Sequence, residues 1–140
     1  MVNKKIIEDK LFELKTYLEM LLPLLKAESR AIIEDDLTLS AIERRFQLIV
    51  DTAIDINTHF IKEYSFGTPN DYQGTFTVLG ENKFFPMEFV LKVAPSVGLR
   101  NLIVHKYGKV DVKKMVDDIK NEIGDYIEYI KLISEKLNQK

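Results

Sequence analysis

Four side chains that could do chemistry together lie within one short stretch of the sequence, residues 98–108. They are Arg100, Asn101, His105 and Tyr107. An imidazole takes up or releases a proton near neutral pH, and a guanidinium stays charged and binds a phosphate through two hydrogen bonds. The stretch therefore has the residue types for acid–base chemistry on an anionic substrate. The same types also occur on ordinary solvated helix faces, so their spacing has to be considered.

If the stretch is helical, its geometry separates the arginine from the histidine. A helix turns about 100° per residue, which places the larger aliphatic side chains toward the core: Leu99, Leu102 and Ile103. Arg100 and His105 then lie at the two edges of the outward face, about 140° apart. They cannot point along one line, which leaves a reacting group that lies across the face or a contribution from a second chain. Tyr107 returns to within about 20° of Arg100, two turns further on.

The chain as a whole limits the class of protein that it can be. Its 140 residues are 46% hydrophobic, enough for a single domain over residues 1–140 that buries roughly 70% of its unfolded surface. The net charge of −2 gives no general attraction to nucleic acid, so any RNA site must be a local basic patch. Cysteine is absent, which excludes disulfides and thiolate sites and fits a cytoplasmic protein. Charged residues interrupt the leucine-rich N-terminal region, which predicts neither a signal peptide nor a membrane span.

Helical periodicity accounts for the first half of the chain. From residue 6 to about 27, leucines recur at three- and four-residue spacing, and Pro23 is expected to kink or divide this helix. A polar connection over residues 33–38 follows, in which Asp36 or Thr38 is expected to cap a second long helix. That helix is expected to reach about Tyr64, with a buried stripe of Ile42, Phe46, Ile49, Val50, Ala53, Ile54 and Phe60.

The second half combines a loop with two further helical regions. Residues 65–80 contain several glycines and are interpreted as a loop with a short helix over residues 72–79. Pro86 is expected to begin the next helix, which is interrupted at Pro95 and then resumes to end by Gly108. The last helix, over residues 111 to about 137, has a predicted buried stripe of Val112, Met115, Val116, Ile119, Ile123, Tyr126, Ile127, Ile130 and Leu137. The chain is therefore predicted to be all-α, an antiparallel four- to five-helix bundle.

A polar band along the second long helix has two interpretations. Its members recur at mostly four-residue steps: Glu43, Arg44, Gln47, Asp51 and Asp55. The band is either a solvated face with ion pairs inside the helix, or a source of carboxylates that orient the catalytic groups of residues 98–108. In the second case Asp51 or Glu43 would be the orienting group. His59, which has no motif partner, is interpreted as structural.

The sequence resembles a known family at two places. The string RNLIVHKY, residues 100–107, resembles the R-x4-H-x-Y motif of HEPN-domain proteins, specifically the HepT-like toxins that are paired with minimal nucleotidyltransferase (MNT) antitoxins. The string AIERRFQ at residues 41–47, followed by Asp51 and by DINTH at residues 55–59, is similar to the second helix of the same family. Pro95, five residues before the motif, is a departure that affects the approach to the motif and leaves the motif itself intact.

The resemblance implies a metal-independent endoribonuclease with a HEPN-like fold that uses no cofactor and acts as a homodimer. RNA cleavage without metal uses the neighbouring 2′-hydroxyl as nucleophile, and it needs a base, an acid and a cation for the phosphorane charge. Arg100 and His105 are the implied catalytic residues, and a two-fold dimer would bring two copies of each into one cleft. Asn101, Glu43 and Asp51 are the expected supporting residues.

The resemblance also implies how such an activity is controlled. In HepT-like proteins the tyrosine of the motif, Tyr107 here, is implied to receive AMP from the cognate MNT nucleotidyltransferase antitoxin. An adenylyl group adds negative charge and bulk beside the cationic site, which would repel RNA. The alternative to a ribonuclease is a non-catalytic helical module that binds a protein or a nucleotide through the same face.

Overall fold

Helices make up the regular structure of the described residues, 2–105 and 110–139, in a computed structural model of the chain. In chain order the α-helices are α1 (Lys4–Leu21), α2 (Ser29–Glu34), α3 (Asp36–Glu63), α4 (Tyr72–Glu81), α5 (Met87–Val93), α6 (Pro95–His105), α7 (Val112–Glu122) and α8 (Gly124–Leu137). A 3₁₀ turn, Leu24–Lys26, lies between α1 and α2. None of the described helices has both the length and the apolar character needed to cross a membrane. The prediction of an all-α bundle is confirmed.

The helices α1 and α3 run antiparallel to each other. The amide of Asn3, just before α1, donates to Nε2 of His59 near the end of α3, with a distance of 3.4 Å. Further along α1, Nζ of Lys10 lies 3.6 Å from Oδ2 of Asp55. Rising residue numbers in α1 therefore meet falling numbers in α3, as an antiparallel pair requires.

The predicted apolar stripe of α3 is confirmed, since every member is buried in the core. The predicted cap of this helix is wrong. Asp35 is the N-cap in place of Asp36 or Thr38, and its carboxylate accepts hydrogen bonds from the amides of Leu37 and Thr38 at 3.2 and 3.3 Å. Asp35 takes this role because its backbone is extended where the chain leaves α2, which aims the side chain at both amides.

The end of α1 matches the expected division at Pro23, but the connection that follows is more regular than predicted. The sequence predicts a polar link over residues 33–38, whereas α2 occupies Ser29–Glu34. Ile32 is buried in the core, and Oγ of Ser29 donates a hydrogen bond to Asp117 on α7. A helix this short does not form by local preference alone, so these tertiary contacts account for it.

The last predicted helix is divided at Ile123, where α7 and α8 meet. The amide of Tyr126 donates to the carbonyl oxygen of Ile123 at 3.1 Å, a tighter turn than that of an α-helix. The prediction that Ile127 is buried is wrong, because this side chain is 53% exposed. Ile127 lies about 100° around the helix from the buried Tyr126. The core positions are taken by Tyr129 and Ile133, which lie on the same side as Tyr126.

A buried hydrogen-bond network joins α3, α4 and α8. The hydroxyl of Tyr129 lies 3.0 Å from the carbonyl oxygen of Ala53 and 2.7 Å from Oδ1 of Asn57. Nδ2 of Asn57 donates to Oγ1 of Thr75 at 3.1 Å, and the hydroxyl of Thr75 donates to the carbonyl oxygen of Tyr72 at 2.8 Å. Buried polar groups are costly unless they are paired, so this network fixes the start of α4 against α3.

The short helix predicted over residues 72–79 is confirmed as α4, and the interruption at Pro95 separates α5 from α6. Pro86 precedes α5 by one residue and is its N-cap, one position earlier than predicted. The helix α6 carries the chain as far as His105. Its predicted end at Gly108 lies outside the described residues.

Candidate active site

Arg100 is positioned by α6 and held by two hydrogen bonds. Its Nε donates to Oδ1 of Asp51 on α3 at 2.7 Å, and its Nη1 donates to Oδ1 of Asn101 at 3.1 Å. Leu99 and Ile103 on the same helix are buried and anchor α6 in the core. The structure thus brings together three of the residues that the sequence analysis places in the site.

The prediction that Arg100 faces outward is wrong for its side chain. The side chain is 13% exposed, because it folds against α3 to reach Asp51. A guanidinium that is largely withdrawn from water needs a counter-charge, and the carboxylate of Asp51 supplies it. The arginine is therefore a fixed cation at the edge of the bundle.

His105 is the last residue of α6 and is exposed. It follows Arg100 by five residues, which corresponds to about 7.5 Å along the helix axis and about 140° around it. The two residues therefore start from different sides of α6. Tyr107, the expected modification site, lies outside the described residues.

Two other residues of α3 considered in the sequence lie away from Arg100. Glu43 is half-buried and precedes Asp51 by eight residues, about 12 Å along the helix. Within the described part of the chain, the hydrogen bonds of Arg100 go to Asp51 and Asn101 rather than to Glu43. His59 is half-buried eight residues after Asp51, where it accepts the hydrogen bond from the Asn3 amide. This contact ties the start of α1 to α3, in keeping with a structural role for His59.

The sequence analysis missed an aromatic side chain at the site, Tyr72. The guanidinium carbon of Arg100 lies 5.5 Å from the centre of the Tyr72 ring, a cation–π distance. Tyr72 is the first residue of α4, in the glycine-containing region for which the sequence predicts mostly a loop. No periodic pattern or motif marks it, because its proximity to Arg100 arises only when α4 packs against α3 and α6.

These side chains border an open hollow of about 470 Å³ between α3, α4 and α6. Its lining consists of Asp51, Ile54, Asp55, Thr58, Tyr72 and Arg100. Within residues 2–105 and 110–139, no group of three or more histidine or carboxylate side chains is placed to hold a metal ion. The hollow therefore offers a cation, carboxylates and an aromatic ring to a ligand of mixed polar and planar character.

A second titratable region lies at the junction of α7 and α8. Burial raises the pKa of Glu122 to about 7, and the negative charges of Asp118 and Asp125 add to the rise, while Lys114 partly offsets it. Oε2 of Glu122 is buried without a hydrogen-bond partner among the described residues. Glu122 therefore changes charge close to neutral pH.

The fold has similar counterparts among solved structures. A Shewanella oneidensis HEPN toxin, solved in a tri-AMPylated form in complex with MNT antitoxin, superposes with a TM-score of 0.85 at 21% identity, covering 96% of this chain and 99% of the other. YutE of Bacillus subtilis, a cytosolic protein of unknown function, superposes with a TM-score of 0.82 at 17% identity. The superposition covers 97% of this chain and 91% of YutE. At these identities the likeness shows that the fold is shared.

Sequence comparison extends the relationship. A tRNA nuclease HepT of Aphanizomenon flos-aquae is 34% identical over 95 residues, which are 68% of this chain and 65% of that protein. An mRNA nuclease HepT of Shewanella oneidensis is 26% identical over 101 residues, 71% of this chain and 76% of the other. The matched part thus spans slightly less than two thirds of the first relative. The profile of the ribonuclease HepT-like family matches residues 14–133, and the chain therefore belongs to this family.

Proposed function

We propose that the chain is an endoribonuclease that cleaves RNA without a metal ion, at a site formed by two copies of the chain. The observation that carries the proposal is the pair of groups on α6. Arg100 is fixed by Asp51 and Asn101, and His105 is exposed at the end of the same helix. The two relatives are named as nucleases of tRNA and of mRNA, which supports RNA as the substrate class.

In the proposed reaction His105 and Arg100 have separate tasks. His105 takes the proton of a ribose 2′-hydroxyl, whose oxygen then attacks the adjacent phosphorus. Arg100 stabilises the negative charge that builds up on the phosphorane, and it needs no reorganisation because its contacts already hold it. The bond from phosphorus to the 5′-oxygen breaks, and that oxygen receives a proton. The products are a 2′,3′-cyclic phosphate and a 5′-hydroxyl.

The need for two copies follows from the geometry of α6. A separation of about 140° around the helix keeps the His105 and Arg100 of one copy from meeting at one phosphate. A two-fold axis beside α6 would place the histidine of each copy near the arginine of the other. One histidine would then act as the base, and the second would protonate the 5′-oxygen. Asn101, Asp51 and Glu43 are proposed as positioning residues around these groups.

Control of the activity is proposed to act through Tyr107. The Shewanella toxin is tri-AMPylated in its complex with MNT antitoxin, which supports a nucleotidyltransferase partner for this chain as well. The partner would transfer AMP to the Tyr107 hydroxyl, where the added phosphate repels RNA from the arginine site. Co-expression with the partner should add adenylyl mass to the wild type, and the gain should fall in Tyr107→Phe. Undiminished modification of that variant would overturn the assignment.

The main test is cleavage of single-stranded RNA in the presence of EDTA. The chain has two histidines, so His59→Gln is a matched control for His105→Ala. We expect cleavage that resists EDTA, a cyclic phosphate on the product, and a loss of about 100-fold or more in His105→Ala, with His59→Gln retaining activity. Loss of cleavage in EDTA would contradict metal independence. Tight RNA or protein binding without cleavage by the wild type would favour the non-catalytic module instead.

A further inference from the structure

We propose that the hollow beside Arg100 is a nucleobase subsite, in which a base of the RNA stacks on Tyr72 and presents its hydrogen-bonding edge to Asp55. The inference rests on the proposed ribonuclease function, which supplies the single-stranded RNA. It adds a contact that the reaction itself does not require. The subsite would place one base and so influence which bond is cut.

Tyr72 has the properties of a stacking platform. The residue is 54% exposed, although its backbone is tied down. The carboxylate of Asp71 caps α4 by accepting from the amide of Gly74 at 2.7 Å, and the hydroxyl of Thr75 donates to the Tyr72 carbonyl at 2.8 Å. The Arg100 guanidinium, 5.5 Å from the ring centre, restrains the ring. A pre-ordered aromatic ring loses little entropy when a base stacks on it.

The hollow is next to the proposed phosphate site. Arg100 lines it and uses Nε and Nη1 for Asp51 and Asn101. Its Nη2 makes no hydrogen bond with the residues that the structure describes. A phosphate bound at Nη2 would leave the attached nucleoside close to the Tyr72 ring, because both side chains border the same space. The volume of about 470 Å³ is ample for a single base with its sugar.

The wall of the hollow that α3 forms offers hydrogen-bond acceptors. The Asp55 side chain is 61% exposed, and its ion pair with Lys10 spans 3.6 Å, so the carboxylate keeps acceptor capacity. The hydroxyl of Thr58 donates its proton to the carbonyl of Ile54 at 2.8 Å, which leaves its lone pairs as acceptors. Such a wall favours bases that carry an exocyclic amino group, as adenine, cytosine and guanine do. Uracil has carbonyl oxygens on both sides of its N–H and would be repelled by the carboxylate.

The absence of tryptophan makes the contact directly measurable. A Tyr72→Trp substitution, combined with His105→Ala to keep RNA intact, places one indole at the subsite. We expect its fluorescence to be quenched by short single-stranded oligo(A) and oligo(C), and less by oligo(U). Tyr64→Trp is the matched control, since Tyr64 is 50% exposed in a separate aromatic cluster with Phe60, Phe66 and Phe84. Equal quenching at both positions would overturn the subsite.

Kinetics of the active chain separate the subsite from the reaction. Tyr72→Ala should raise KM for RNA by roughly 10-fold, whereas Tyr72→Phe keeps the stacking surface and should stay near wild type. Asp55→Asn should narrow the difference between the KM values for oligo(A) and oligo(U).

If the wild type cleaves RNA and Tyr72→Ala has an unchanged KM, the subsite is wrong and the ribonuclease proposal stands. If the wild type does not cleave RNA but Tyr72→Trp is quenched selectively, the ribonuclease proposal fails and the base site stands.

Discussion

Arg100 owes its position to a residue 49 positions away in the sequence. Its Nε donates to Asp51 at 2.7 Å, and the guanidinium is only 13% exposed, so this charge-assisted hydrogen bond is stronger than one at an open surface. The contact that compensates the buried charge also holds the guanidinium in one orientation. Stability and the proposed function therefore depend on the same pair of side chains.

At this scale we predict that Asp51→Asn weakens both the fold and the reaction. The substitution preserves shape but removes the charge that faces a guanidinium only 13% exposed, so the free energy of unfolding should fall by about 1–2 kcal/mol. The kcat for RNA cleavage should fall more than KM changes, because Arg100 loses its orientation and keeps its charge. Urea unfolding and steady-state kinetics measure the two effects.

The control for this prediction is Asp9→Asn. Asp9 is paired with Lys5 on the surface of α1 at 3.0 Å, and an exposed pair of this kind contributes little. The Asp9→Asn substitution should leave the free energy of unfolding and the rate of RNA cleavage unchanged within error. If Asp51→Asn behaved the same way, Asp51 would not be a positioning residue.

The half-buried carboxyl of Glu122 predicts a stability that depends on pH. Its pKa in the folded chain, about 7, is above the ordinary value of 4.5, so folding favours the protonated form. The associated stabilisation is complete below about pH 4.5 and is lost as the pH rises through about 7. Glu122→Gln should therefore be more stable than the wild type at pH 8 by about 1–2 kcal/mol, a value reduced for partial solvent contact, with no such gain at pH 4.

Chemical unfolding at several pH values would test this. Glu135 is an exposed residue of α8, so Glu135→Gln serves as the comparison. Its free energy of unfolding should match that of the wild type at each pH. A stability difference between Glu122→Gln and the wild type that is constant from pH 4 to pH 8 would contradict the assignment of this titration to Glu122.

At the scale of the elements, α4 and α5 approach each other closely at Gly80. A Cβ atom placed on Gly80 would lie 2.8 Å from Cγ2 of Val90 and 3.0 Å from Cε of Met87. The methionine end can move, but Val90 is buried and its methyl group is fixed close to the backbone. The absence of a side chain at residue 80 therefore lets the two helices pack.

Gly80→Ala should lower the free energy of unfolding by about 1–3 kcal/mol, because the new methyl group overpacks the contact. Gly124→Ala is the matched control, since a Cβ there meets nothing within 4 Å and the residue lies in α8. This second change should be neutral or stabilising by up to about 1 kcal/mol. Thermal or urea unfolding of both variants measures these changes in stability. A Gly80→Ala chain as stable as the wild type would refute the prediction that a methyl group at residue 80 overpacks the contact.

At the scale of the whole molecule, the question is how many chains make one reactive site. If each cleft needs both histidines, a mixed dimer of wild type and His105→Ala is inactive. Equal amounts of the two chains, after subunit exchange, give about a quarter of dimers with two histidines. Cleavage should then fall to about a quarter of that of the same total amount of wild-type chain. Independent subunits would leave about a half, and mixing with His59→Gln should cause no comparable loss.

Much of the helical layout followed from the sequence because its causes are local. The apolar repeat of α3, the division at Pro23 and the break at Pro95 act within a few residues, and all three were predicted. The motif that joins Arg100 to His105 was also visible, and its helical spacing is the basis of the proposal that two copies of the chain share one site. These features depend on residues that are near neighbours along one helix.

The tertiary structure decided what depends on residues far apart in the sequence. It selected Asp51 over Glu43 as the partner of Arg100, turned the Arg100 side chain toward α3, and brought Tyr72 beside the Arg100 guanidinium. It also formed α2 through contacts with the core and with α7, and placed Tyr129 rather than Ile127 in the interior. Helical periodicity sets the side of its own helix on which a residue lies. The packing of α3, α4 and α6 sets which side chains meet, and so determines the shape of the hollow beside Arg100.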